Sequence, residues 1–83
     1  MKKEIIIDDY STKDFIEAAF LYALNKKLIK TNNTDSKTIW FSFSNKPDCE
    51  KAISSYYRKE AMVNAKEFAD AIRTIKDIIF NQH

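Results

Sequence analysis

The chain has 83 residues, 45% hydrophobic and 13% aromatic, with a formal net charge of +2. That balance excludes a disordered chain and the charged tails that mark many nucleic-acid binders. A chain this short makes one domain that buries only about 60% of its unfolded surface, so few apolar side chains are left for anything but the core.

Glycine is absent, where an average chain of this length has about six. A phosphate-cradling loop or a dinucleotide turn, both of which need backbone that closely approaches a ligand, is therefore excluded. Asparagine is expected to take the left-handed positions at element ends, at Asn25, Asn32, Asn33, Asn45 and Asn81. Cys49 is the only cysteine, which fits a reducing cytoplasm and no disulfide framework. The opening "MKKEIIIDDY" and the longest apolar run, "AAFLYAL", are too short for a signal-peptide core or a membrane span. The expected location is the cytoplasm, with no membrane partner.

In chain order, residues 3–8 read as a short strand with Ile5, Ile6 and Ile7. In "YSTKDF", Ser11 is expected to cap a helix over about 12–24, with Asp14 in the capping-box position and Tyr10 stapled on Phe15. That helix has almost no polar face, which makes it central. "KKLIKTNNTDSKTIWFSFS" predicts a hairpin at about 26–44, with strands near 26–31 and 37–44. Pro47 starts a second helix over about 47–59, whose buried stripe is Cys49, Ala52, Ile53 and Tyr56. Asn64 caps a third over about 65–80, with Glu67 in the capping-box position and Val63 stapled on Phe68. Phe68, Ile72, Ile75 and Ile79 form its buried stripe, and Lys66, Asp70, Arg73 and Asp77 an ion-pair ladder opposite. The fold class is α+β: a small antiparallel sheet packed on one face by three helices.

Taken together, "YSTKDFIEAAFLYAL", "WFSFS" and "NAKEFADAIRTIKDIIF" resemble small proteins of unknown function from phages and other mobile elements of Gram-positive bacteria. The similarity runs from about Tyr10 to Phe80 and rests on capping boxes and core stripes. It implies a phage or mobile-element setting, the cytoplasm of the host cell, and a non-enzymatic role. It carries no catalytic or binding residues to transfer.

The residues also speak against catalysis. The one histidine, His83, stands at the end of the sequence, so no His-based dyad is expected. Cys49 falls on the apolar stripe of its helix, which reads as a small buried hydrophobe. Asp8 and Asp9 are adjacent and would face apart on a strand, a poor metal clamp. No zinc spacing or calcium loop occurs, and no cofactor is expected.

The strand "TIWFSFS" poses the functional question. Alternation sends Ile39, Phe41 and Phe43 one way, to the core, and Thr38, Trp40, Ser42 and Ser44 the other. Trp40, the only tryptophan, thus falls on a polar face. Leu28 and Ile29 are adjacent, so one of them is expected beside it, making a small apolar patch with a polar rim, as at the centre of a protein interface. Either a partner or the chain itself, such as residues 1–8, would cover it. Trp40, Leu28 and Ser42, with Tyr57 and Arg58 as a second amphipathic spot, are the candidate contacts for a protein partner. The partner would be a host protein, such as a defence nuclease, or a second copy in a homodimer. The alternative is nucleic acid. Residues 21–46 carry five lysines against Asp35 alone, and Lys26, Lys27, Lys30 and Lys37 with Trp40 could hold a single strand. The plainer reading of those lysines is a solvated edge that prevents sheet-to-sheet association.

Overall fold

The computed structural model describes residues 8–33 and 38–81. The expected strand over 3–8 therefore lies outside the described residues, apart from Asp8, which is exposed and not in a strand. Residues 34–37, which include most of the expected hairpin turn and Lys37, and His83 also lie outside them.

The first strand, β1, is Tyr10–Thr12, and the first helix, α1, is Phe15–Ala23. This differs from the expected start of the helix. Asp14, not Ser11, is the N-cap: its carboxylate accepts from the Ile16 and Glu17 amides, and Phe15 is the first helical residue. Both residues can cap, and sheet pairing decides between them. Ser11 sits opposite Ser42 in the sheet, and the Thr12 hydroxyl accepts from the Asp14 amide at 3.1 Å, holding the chain in a turn before the cap. From Ala18 to Ala23 only Tyr22 is exposed, so α1 is the central helix. It ends in a Schellman turn: Asn25 takes φ 66°, while the Asn25 and Lys26 amides donate to the Tyr22 and Leu21 carbonyls.

The strand β2 is Leu28–Asn33 and β3 is Ile39–Phe43. Among the described residues the sheet is three-stranded, in the order β1–β3–β2, and both pairings are antiparallel. Ile39, Phe41 and Phe43 are buried, as alternation requires. Helix α2, Lys46–Tyr57, follows at once. Asn45 supplies its N-cap in a left-handed conformation, φ 72°, and accepts from the Asp48 amide. Cys49 and Ile53 are buried, with Ala52 and Tyr56 packed beside them. Its C-terminus repeats the Schellman turn with an unexpected residue. Lys59 takes φ 63°, and the Lys59 and Glu60 amides donate to the Tyr56 and Ser55 carbonyls. Asn32 and Asn33 lie in β2 and Asn81 in α3, so left-handed backbone falls at Asn25, Asn45 and Lys59 among the described residues.

Helix α3, Ala65–Asn81, is as read: the Asn64 side chain accepts from the Glu67 amide at 3.0 Å. Ile75 and Ala71 are its buried residues, and Phe68, Ile72 and Ile79 pack against the core. On the opposite side Lys66 pairs with Asp70 at 2.7 Å and Arg73 lies 3.8 Å from the same carboxylate. One core joins the layers. The inner face of the sheet meets Phe20 and Leu21 of α1, Cys49 and Ile53 of α2, and Ile75 of α3, each large side chain contributing about 1.5–3 kcal/mol by burial. All helices lie on that face, which positions Trp40 on the other.

Candidate functional site

The outer face is set by a break in register. Leu28 stands opposite Phe43, but Lys30 stands opposite Ser42, with an irregularity between Leu28 and Lys30. Strict alternation would put Leu28 and Lys30 on one face. A bulge here makes Ile29 the extra residue and turns Lys30 and Asn32 outward, the re-aiming that bulges perform. Asn32 then lies opposite Trp40. Across β3, Ser11 of β1 stands opposite Ser42, and their hydroxyls hydrogen-bond at 2.9 Å.

The result is a shallow recess of about 300 Å³ lined by Ser11, Lys30, Asn32, Trp40 and Ser42. Trp40, half-buried, is part of this lining. Lys13, just after β1, brings its ammonium 5.9 Å from the indole centroid, a cation–π contact. Lys13 and Lys30 are both exposed, and among the described residues neither forms an ion pair. Among the described residues no carboxylate lines the recess.

The structure brings together Trp40, Ser42 and Lys30 of the residues chosen from sequence. It does not bring Leu28 to them: Leu28 packs against the core, and Ile29, 45% exposed, is the bulged residue. The aliphatic neighbour expected for Trp40 is thus replaced by Asn32 and Lys30. Tyr57 and Arg58 lie at the C-terminal end of α2, in the helical layer, and both are engaged. Tyr57 donates to Glu17, and Arg58 binds Glu60 and the Ser54 hydroxyl. Lys26 pairs with Asp48 and holds that carboxyl below the usual range. Lys27 is exposed and its backbone carbonyl accepts from the Ser44 amide. Ser11, Lys13 and Asn32 are not among the contact residues that the sequence suggests. The signal for the first two was alternation through residues 11 and 13, hidden while "YSTKDF" was read as a helix start.

A second polar cluster is structural. The Glu17 carboxylate accepts from the hydroxyls of Tyr10 and Thr12, each at 2.9 Å, and of Tyr57 at 2.6 Å. It therefore ties β1 and the end of α2 to α1. Burial, and then Glu17, pushes the Tyr10 pKa far above its ordinary value; the hydrogen bond to Glu17 pushes that of Tyr57 up to about 12. Cys49 is fully buried, its thiol donates to the Ser44 carbonyl at 3.4 Å, and burial raises its pKa. Among the described residues no group of His, Cys, Asp and Glu could hold a metal ion, and no helix is long and apolar enough to cross a membrane.

The chain belongs to the family described as a domain of unknown function (DUF5659), whose profile matches residues 7–81. The match spans every described strand and helix, Trp40 included. No curated protein and no solved structure matches the chain.

Proposed function

We propose that this domain is a non-enzymatic binding protein that works by contact through the Trp40 face of its sheet. The observation that carries this reading is the placement of the only tryptophan. It lies opposite the core, in a polar recess flanked by Lys13 and Lys30, neither of which forms an ion pair among the described residues. A tryptophan left half-exposed by a domain with little apolar surplus is well suited to anchor a partner. The burial of Cys49 and its raised pKa support the absence of thiol chemistry.

The resemblance to phage and mobile-element proteins supports one version, an accessory protein that contacts and modulates a host protein such as a defence nuclease. The residues around Trp40 support another. Lys13, Lys30, Asn32 and the paired serines suit an anionic, hydrogen-bonding ligand better than an apolar protein anchor. Both versions use the same face, and one experiment tests it. Native protein and Trp40→Ala are immobilised, and the protein and nucleic acid retained from a host extract are compared. The native chain should retain a macromolecule that the folded variant loses. Equal retention by both would show that the contact surface lies elsewhere.

A further inference from the structure

We infer that the Trp40 face binds single-stranded nucleic acid, with a base against the indole and neighbouring phosphates on Lys13 and Lys30. This rests on the reading above that the face is the contact surface, and adds the chemistry of what it holds.

Three features of the recess select this ligand. The first is charge. Lys13 follows β1 and Lys30 lies on β2, the two outer strands, so the cations stand on opposite sides of the central Trp40. With no carboxylate in the lining and no ion pair to either lysine among the described residues, the recess complements an anion that passes over the ring. The second is shape. A recess of about 300 Å³ with an indole in its lining has the volume for one planar ring, and base–aromatic stacking is how single strands are held without strict sequence preference. The third is hydrogen bonding. The Asn32 amide offers both donor and acceptor opposite Trp40, the pattern a base edge also carries. An apolar side chain from a protein would instead desolvate the exposed Asn32 amide without pairing it.

A duplex is a poorer fit, because its base faces are already stacked and a sheet with one tryptophan cannot reach them. Lys13 already lies over the indole. An incoming base would take its place on the ring, and the ammonium would move outward to the phosphate. The bulge at Ile29 is then a functional element, since it turns Lys30 outward.

Because Trp40 is the only tryptophan, its fluorescence reports on the site directly. The full chain is titrated at low salt with oligothymidylate, oligouridylate, a DNA duplex and polyglutamate. Saturable quenching by the single strands, weaker quenching by duplex and none by polyglutamate is expected. Binding to a labelled single strand, read by anisotropy, should weaken roughly 10-fold in Trp40→Ala and much less in Trp40→Phe. Each contacted phosphate contributes about 0.7 to the slope of log affinity against log salt. Lys13→Gln and Lys30→Gln should each lower the slope by about that amount. Circular dichroism verifies that each variant folds. No binding at low salt, equal binding of polyglutamate, or binding unaffected by Trp40→Ala would overturn the inference. If single strands fail to bind while Trp40→Ala still loses a protein from host extract, the contact surface stands and its occupant is a protein.

Discussion

The two faces of the sheet are built from alternate residues of one strand and do opposite things. On the inner face Ile39, Phe41 and Phe43 are all buried. The polar groups nearest that layer are engaged, with Thr12, Tyr10 and Tyr57 all donating to Glu17. On the outer face Trp40 is half-buried, and Lys13 and Lys30 have no anionic partner among the described residues. A small domain cannot leave polar groups unpaired within its core, but exposed cations cost little. On the proposed function, stability and binding fall to side chains one residue apart, so they should respond to different substitutions.

The largest effect should come from the inner face. Phe41→Ala empties a site that is 1% exposed and should cost about 3–5 kcal/mol, a large share of the 5–15 kcal/mol of a typical domain. Urea unfolding checks this; a loss near 1 kcal/mol would show that the sheet is not anchored in the core.

Glu17 comes next. Glu17→Ala removes the acceptor of the part-buried Tyr10 and Thr12 hydroxyls and should cost about 1–3 kcal/mol. The cluster also gives an alkaline signature. The Tyr57 pKa is raised from 10.0 to about 12 in the folded state. Its contribution is therefore fully present below pH 10 and lost as pH rises through about 12. Tyr57→Phe should flatten that part of the stability–pH curve, and tyrosinate absorbance should show a late-titrating group that the variant lacks. An unchanged titration would mean that the hydroxyl is not held by Glu17.

A smaller effect, of opposite sign, is expected at Lys59. Its left-handed φ of 63° strains a residue with a Cβ, and glycine relieves that strain at some entropic cost. Lys59→Gly should stabilise by up to about 1 kcal/mol, which raises the melting temperature of a domain this size by about 4–8 °C per kcal/mol. A fall in melting temperature would mean that the Lys59 side chain makes a contact worth more than the strain.

These contrasts also explain what could be read from the amino-acid order. Helix α3 was legible almost to the residue because its Asn64 cap and its 3.6-residue stripe point to the same boundaries. The alternation of "WFSF" was legible because a one-residue slip would turn Phe41 and Phe43 out of the core. The start of α1 was not, since Ser11 and Asp14 are both good caps and only pairing with Ser42 separates them. Nor was the bulge: "LIKTNN" is polar enough that its own pattern does not specify register, so the sequence leaves open which of Leu28 and Ile29 stands beside Trp40 and does not show that Lys30 does. The capping pattern of "YSTKDF" masks Lys13 in the same way. The Glu17 cluster joins residues up to 40 apart in sequence, a distance over which no local pattern speaks.

The separation of the two faces is tested most directly by the denaturant midpoint and slope of Trp40→Ala beside the native chain. Because Trp40 lies opposite the core and only half-buried, the variant should lose about 1 kcal/mol or less with an unchanged slope. A loss of about 3–5 kcal/mol, as for an emptied core site, would mean that the chain itself covers Trp40, and the outer face would no longer be a binding surface.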